Sequence, residues 1–394
     1  MKQKIIYLLI TILTILSVFF PTSKNGIIMS SYTTGVGIAC FLLLFILFVM
    51  LNNGRINKRI AISGSIIFLS LILSTLTSPY HDIKIGMSVF YASFVMVTFI
   101  DFSKITGVNY IRLFQFLSIP IFTFSILTIR YNLNFKLFLL KNYSAYYDAL
   151  VSNMFSVGKP VTFFASHSIA GLVYFIFFYI SFQHFKANKK IIPLIICIGY
   201  LVLLYNLKSV TSLSLLLVSI VYLVYNTVKT VKGYIIFSFV LLFIVIFNYN
   251  YLAEKVQMFS LMLNNSYLSS INGFAGRYSD GTGALNSNME YIKNNLFRPL
   301  GFTSAPEVQF IDSGMIEYML RGGLVLVISM YYSLYKFLTI NISHKKQAIF
   351  LFLVFIAFET GFAGLITPRI VYLIPLIVIT LNSIKTNENK SLAN

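Results

Sequence analysis

Asp312-Ser313-Gly314-Met315-Ile316-Glu317-Tyr318-Met319-Leu320-Arg321-Gly322-Gly323 is the point where a long polar interval turns back into apolar sequence. That interval, 251–313, runs for about sixty residues without an apolar stretch able to cross a bilayer. Almost everything else in the chain is oily, and the contrast decides the class. Of 394 residues, 58% are hydrophobic and 10% charged, with a mean hydropathy of +0.83. Soluble domains keep about a quarter of their residues charged. A chain with this balance cannot cover a water-facing surface, so lipid must be its solvent and helices must carry it across.

The expected fold is therefore all-α: a polytopic integral membrane protein forming a single membrane domain over 1–394, with about twelve transmembrane helices. Apolar runs place the spans at 5–20, 35–51, 60–77, 86–100, 110–129, 169–183, 191–206, 210–228, 234–248, 315–337, 347–366 and 370–384. The first resembles a signal peptide, but no small-residue cleavage site follows it, so it counts as helix one. The net charge of +19 does not point to nucleic acid, because Lys and Arg sit in short connectors and not along one helix face. With twelve spans, Lys2 and Lys4, the connector Arg55-Ile56-Asn57-Lys58-Arg59, Lys186 with Lys189-Lys190, Lys229 with Lys232, and Lys345-Lys346 share one side. The positive-inside rule makes that side, and both termini, cytoplasmic.

Two long loops then lie outside, 130–168 and 251–313. The first is rich in Tyr and Asn and carries Arg130 and Lys159. Its aromatic rings suit either sugar faces or the headgroup belt. Cys40 and Cys197 both sit in apolar runs, which argues for buried thiols and against a disulfide framework. The four histidines are scattered, so no metal site is expected.

Several stretches resemble the O-antigen polymerase and ligase superfamily, the Wzy-like and WaaL-like membrane glycosyltransferases of bacterial surface polysaccharides. They are Phe163-Phe164-Ala165-Ser166-His167-Ser168-Ile169-Ala170-Gly171, Lys208-Ser209-Val210-Thr211-Ser212, Gly276-Arg277, Asn295 through Gly301, and Asp312 through Gly323. The likeness covers roughly the second half of the chain, and the first five helices match in hydropathy alone. Ligases of this kind usually carry a histidine where Asp312 stands, which tilts the likeness toward Wzy-type polymerases. The resemblance implies a GT-C-like helical fold in the bacterial inner membrane. It implies an enzyme without metal or cofactor that joins oligosaccharide repeats carried on undecaprenyl pyrophosphate, and it allows a chain-length regulator as partner. An O-antigen ligase and a lipid-linked oligosaccharide or sugar transporter (a flippase) are the alternatives.

Such chemistry needs cations at the leaving pyrophosphate and a base at the acceptor hydroxyl. Arginine suits the first role because its planar fork grips phosphate oxygens in pairs. The expected catalytic residues are Arg277, Asp312 and His167, with Arg298, Arg321, Glu317, Arg130 and Lys159 holding substrate. Each also has an ordinary reading. Arg298 suits headgroup anchoring, Asp312 a helix cap, and Glu317–Arg321, four apart, a structural ion pair. Glu359 and Arg369 are expected to pair with each other for a structural purpose.

Overall fold

In a computed structural model the chain is described for residues 2–21, 23–24, 27–28, 30–52, 55–129, 133–143, 160, 162–164, 166–207, 209–227, 286–295, 298–306, 308 and 313–393. These residues form a helical membrane bundle. In chain order its helices are α1 (Lys2–Phe19), α2 (Ser30–Asn52), α3 (Lys58–Thr77), α4 (Ile85–Phe99), α5 (Val108–Ile129) and α6 (Leu133–Tyr143). They continue with α7 (His167–Asn188), α8 (Ile191–Asn206), α9 (Val210–Thr227), α10 (Asn286–Asn294), α11 (Gly314–Asn341), α12 (Lys345–Glu359), α13 (Pro368–Val371) and α14 (Ile374–Ala393). The extended structure described is a short hairpin pairing Ser23–Lys24 with Ile27–Ile28. Seven apolar helices among the described residues are long enough to cross a bilayer. The protein is a multi-pass membrane protein.

Each expected span falls on one of these helices, except 234–248, which lies outside the described residues. Most bounds differ by a few residues, and two differ by a break in the helix. The run 347–366 stops as a regular helix at Glu359, and the run 370–384 is preceded by the short α13. Gly361, Gly364 and Pro368 explain both, since proline fits the first helical turn but not the middle of a helix. The segment 130–168, expected as loop, contains α6.

Hydrophobicity alone does not say which helix face meets lipid. Along α1, Ile5, Leu8, Ile12 and Ile15 are exposed while Ile6, Leu9, Ile10 and Leu13 are buried, so both faces are apolar. Packing chooses between them. At the centre, α7 is buried at every residue from Ile169 to Gln183. Ser166 caps its start, accepting from the Ile169 amide at 3.1 Å. Lys189 closes its end in the left-handed conformation, donating its amide to Phe185 at 2.7 Å. Gly171 lets α9 approach closely, with the Ser212 Cα 3.5 Å from where a Cβ would sit.

Side-chain hydrogen bonds show which helix ends gather together. At one end Asn52 donates to the Phe99 carbonyl (2.6 Å), Asn341 accepts from the Phe102 amide (2.6 Å), and Asn382 donates to the Asn341 carbonyl (2.7 Å). Gln183 joins that end by donating to Tyr222 (2.6 Å) and accepting from Gln347 (3.1 Å). This is the basic end, where Lys186, Lys189, Lys190, Lys345 and Lys346 stand. Helix α9 finishes there at Thr227, while the chain described from Asn286 lies at the opposite end, where Tyr291 faces Tyr80.

Arg369 locks that opposite end. It is 2% exposed, and its Nη1 donates to the carbonyls of Val18 (2.8 Å) and Ser17 (3.4 Å) and its Nη2 to that of Phe20 (2.8 Å). Phe20 and Tyr143 each lie 5.5 Å from its guanidinium. A cation thus satisfies the carbonyls that α1 leaves open at its C-terminus. The expected Glu359–Arg369 pair does not form. Pro368 starts a new helix that aims Arg369 at α1, and Glu359 accepts instead from the Leu365 amide at 2.8 Å. Arg369→Leu is expected to cost on the order of 3 kcal/mol, since three carbonyls lose a charged donor. Thermal unfolding of the purified protein in detergent reads this, with Arg369→Lys falling between the two. Equal melting of Arg369→Leu and wild type would remove the lock from the account.

Candidate functional site

The sequence around Gly322-Gly323 breaks a helix and builds a binding place for the chain itself. Gly323 has φ +67, so α11 is a short leading segment followed by a longer one. A break of this kind strips the preceding carbonyls of their partners four residues on. All three nearest carbonyls are taken by other donors. Leu320 accepts from the Leu300 amide (2.8 Å), Arg321 from the Gly301 amide (2.8 Å), and Gly322 from Ser70 Oγ on α3 (2.9 Å).

Arg321 completes this clasp in the other direction. Its Nε donates to Glu317 Oε1 at 2.9 Å, and its Nη1 to the carbonyls of Gly301, at 3.3 Å, and Thr303. Both charged groups are buried, Glu317 at 3% and Arg321 at 4% exposure. The i,i+4 spacing puts them on one helix face, and burial makes the pair obligatory. The segment around Gly301 also docks on α3. The Phe302 amide donates to Thr75 Oγ1 (2.9 Å), and the Ser78 and Thr303 hydroxyls meet at 2.7 Å. Gly301 itself has φ +58, and a Cβ there would lie 2.3 Å from the Thr75 amide nitrogen. Only glycine fits that turn.

The connection between α3 and α4 closes the edge. Ile83 pairs with Thr303, and Lys84 donates its amide to the Phe302 carbonyl at 2.9 Å. Asp82 takes Lys84 Nζ at 2.5 Å and Ser304 Oγ at 3.0 Å. The hydrogen bonds from Lys84 and Ser304, with the charge of Lys84, hold its carboxyl below the usual carboxylate range. Leu300, Leu320, Ile316, Ala305 and Tyr291 form a small apolar cluster beneath, separate from the main core. Behind the clasp, Tyr91 lies edge-on to both Phe302 (6.3 Å) and Tyr318 (6.2 Å). Glu359 sits fully buried beside them, with its Oε2 against Gly314.

The expected site residues divide into three groups. Arg277, Asp312, Arg130 and Lys159 lie outside the described residues. Glu317 and Arg321 are brought together as a committed structural pair, which fixes the Gly301 turn. Arg298, two residues ahead of Leu300, is exposed, and its side chain makes no hydrogen bond or ion pair among the described residues. It is the cation best placed to meet a ligand at the clasp. His167 opens α7, and its Nε2 stands 2.8 Å from the Pro160 carbonyl. A carbonyl only accepts, so that nitrogen carries the proton. No hydrogen bond or ring contact among the described residues joins His167 to Arg321 or Glu317.

Sequence reasoning missed Ser70, which binds the broken end of α11, and Thr75, Ser78 and Asp82, which bind the docked segment, all on α3 and its following turn. Their partners lie more than 200 positions away in the chain. The Gly322-Gly323 pair was the available signal, because paired glycines inside an apolar run mark a discontinuous helix.

No protein-family model, curated protein or solved structure matches this chain.

Proposed function

We propose that the chain is a membrane polysaccharide polymerase, joining oligosaccharide repeats carried on undecaprenyl pyrophosphate at the outer face of a bacterial inner membrane. The product would be O-antigen or capsule. One observation carries the reading: the Asn295–Gly301 stretch and the Asp312–Gly323 stretch, which the superfamily resemblance pairs in order, are hydrogen-bonded into one unit at Gly301 and Arg321. A polar segment is thereby seated on a broken helix at a bundle end, with exposed Arg298 at its lip.

In this reading the acceptor hydroxyl attacks the anomeric carbon of the lipid-linked donor. The bond to pyrophosphate breaks, and the hydroxyl proton passes to a base, for which Asp312 is the assignment. Arg277 and Arg298 meet the charge developing on the leaving pyrophosphate. Glu317 and Arg321 act by holding the turn, and His167 by anchoring the entry to α7. The twelve-helix, GT-C-like topology belongs to the same proposal. It is supported by the chain leaving α9 at the basic end and resuming at the opposite one, as a span at 234–248 requires. A transporter is favoured by the break in α11, since discontinuous helices build mid-membrane sites. Against it, the carbonyls at this break already hold protein donors.

Deletion in the native strain, followed by gel analysis of surface polysaccharide, separates the readings. A polymerase mutant leaves core bearing a single repeat, a ligase mutant bare core, and a flippase mutant repeats held on the inner face. Arg277→Ala is expected to abolish chain extension while the protein still accumulates in the membrane. Unchanged laddering from that variant would take Arg277 out of the site.

A further inference from the structure

Behind the clasp the fold gathers buried oxygens that hold no partner. The rings of Tyr318 and Tyr331, both on α11, lie 6.0 Å apart. In an unbroken helix, residues with that spacing stand about 20 Å apart along the axis. The break at Gly323 therefore folds the leading segment of α11 back along the rest, and this brings Gly314 and Tyr318 to Glu359 at the end of α12. Tyr91 of α4 closes the group, its ring 6.2 Å from that of Tyr318. Glu359, Tyr91 and Tyr318 are each 0% exposed. Glu359 Oε2 and the hydroxyls of Tyr91, Tyr318 and Tyr331 are all buried without a hydrogen-bond partner.

A buried carboxylate needs a counter-charge, and the neighbouring cations are committed elsewhere. Arg321 spends its hydrogen bonds on Glu317 and on the carbonyls of Gly301 and Thr303. Arg369 is turned to the carbonyls of α1. Among the described residues no Lys, Arg or His pairs with Glu359. Tyr91 stands within electrostatic reach of both Glu317 and Glu359, so two buried acids flank it and one guanidinium serves the first. Glu359 Oε2 also packs against Gly314, where an added Cβ would lie 1.7 Å from it, so a metal ion has no room on that side. A proton needs no volume. Placed on Oε2, it turns an orphaned acceptor into a donor for the Tyr318 hydroxyl beside it. Oε1 then keeps the Leu365 amide at 2.8 Å.

We propose that Glu359 is a proton-binding site, holding a proton on Oε2 in the folded protein and donating it in a hydrogen bond to the Tyr318 hydroxyl. Tyr318 shares its short segment with Glu317 and Arg321, so loss of the proton sets a bare charge against the base of the clasp. The assignment does not rest on glycosyl transfer.

The test uses the full-length protein purified in neutral detergent. Infrared spectra at neutral pH are expected to show the carbonyl stretch of a protonated carboxyl that Glu359→Gln removes and Tyr318→Phe shifts. The second variant keeps the ring and the acid, so it reads the hydrogen bond even if Glu359→Gln accumulates poorly. Melting across a pH series gives an independent readout. A glutamate in the unfolded chain releases its proton near pH ~4.3, so above that pH folding takes up one proton at Glu359. Wild type should then lose stability relative to Glu359→Gln as pH rises, by up to about tenfold in the folding equilibrium per pH unit, until the folded protein itself releases the proton. The amide of Glu359→Gln donates as the protonated acid does, so that variant should melt close to wild type in acid and above it in alkali. Comparison with this variant assigns the effect to Glu359 and not to Asp312, which lies outside the described residues. Absence of a Glu359 carboxyl band, or parallel pH profiles for wild type and Glu359→Gln, overturns the proposal. So does stabilisation of wild type, but not of Glu359→Gln, by sodium chloride over choline chloride at equal ionic strength, which would make the counter-charge a metal ion.

Discussion

Arg321→Ala is expected to be among the most damaging single substitutions in the chain. It removes the partner of Glu317, a carboxylate at 3% exposure, and strips charged donors from the carbonyls of Gly301 and Thr303. Breaking one side of a buried pair costs about 3–5 kcal/mol, because the remaining charge stays in low dielectric without compensation. Membrane helix packing has little hydrophobic drive to offset this, since lipid is as apolar as the interior. The protein should accumulate poorly and melt well below wild type in detergent. Arg321→Lys keeps the charge but not the fork that reaches Glu317 and the two carbonyls at once, so it should recover only part of the loss. The double variant Glu317→Gln, Arg321→Met should be milder than Arg321→Ala alone. An Arg321→Ala protein melting with wild type would mean that the clasp does not hold the docked segment.

Gly314→Ala tests the other buried acid, and here two principles give opposite signs. Glycine inside a helix is unfavourable by about 0.5–1 kcal/mol relative to alanine, so propensity alone predicts a gain. The added Cβ, however, would lie 1.7 Å from Glu359 Oε2 and 3.3 Å from the Ala363 Cα. The carboxylate cannot swing away freely, because its Oε1 holds the Leu365 amide at 2.8 Å. Forcing atoms into a packed site costs about 1–3 kcal/mol and sometimes more, so the steric effect wins and the variant should be destabilised. Glu359→Ala removes the obstacle. The double variant Gly314→Ala, Glu359→Ala should therefore melt above Gly314→Ala alone, although Glu359→Ala leaves the Leu365 amide without its acceptor. Additive losses in the two singles and the double would contradict the contact.

How much of this was readable beforehand follows from where each fact resides. The helix positions were legible because the contrast between apolar runs and charged connectors is carried in one dimension: 191–206 reads the same in the sequence and in α8. Helix ends were less so. Helix α11 continues to Asn341, four residues beyond the apolar run that ends at Phe337, because backbone bonding persists past the hydrophobicity that starts it. Helix α6 was hidden by its alternation of Lys and Asn with Leu and Phe, which reads as loop. Within the candidate site, the residue types were visible but their commitments were not. Glu317 and Arg321 stood four apart in plain view, and nothing local said that the guanidinium would turn to Gly301 and Thr303. The destination of Arg369 on α1, about 350 positions earlier, is likewise a fact of packing and not of pattern.

The break at Gly323 also bears on how the protein is made. Synthesis delivers α3 to the membrane well before α11, and α11 arrives with the carbonyls of Leu320, Arg321 and Gly322 lacking their helical partners. Each such group left bare in hydrocarbon costs several kcal/mol. The waiting hydroxyl of Ser70 and the amides of Leu300 and Gly301 remove that penalty, so the third helix serves as a fixed template for one synthesised some 250 residues later. Ribosome-bound chains arrested before and after α11 has emerged should thus differ in whether a cysteine placed at Ser70 is shielded from a membrane-permeant thiol reagent.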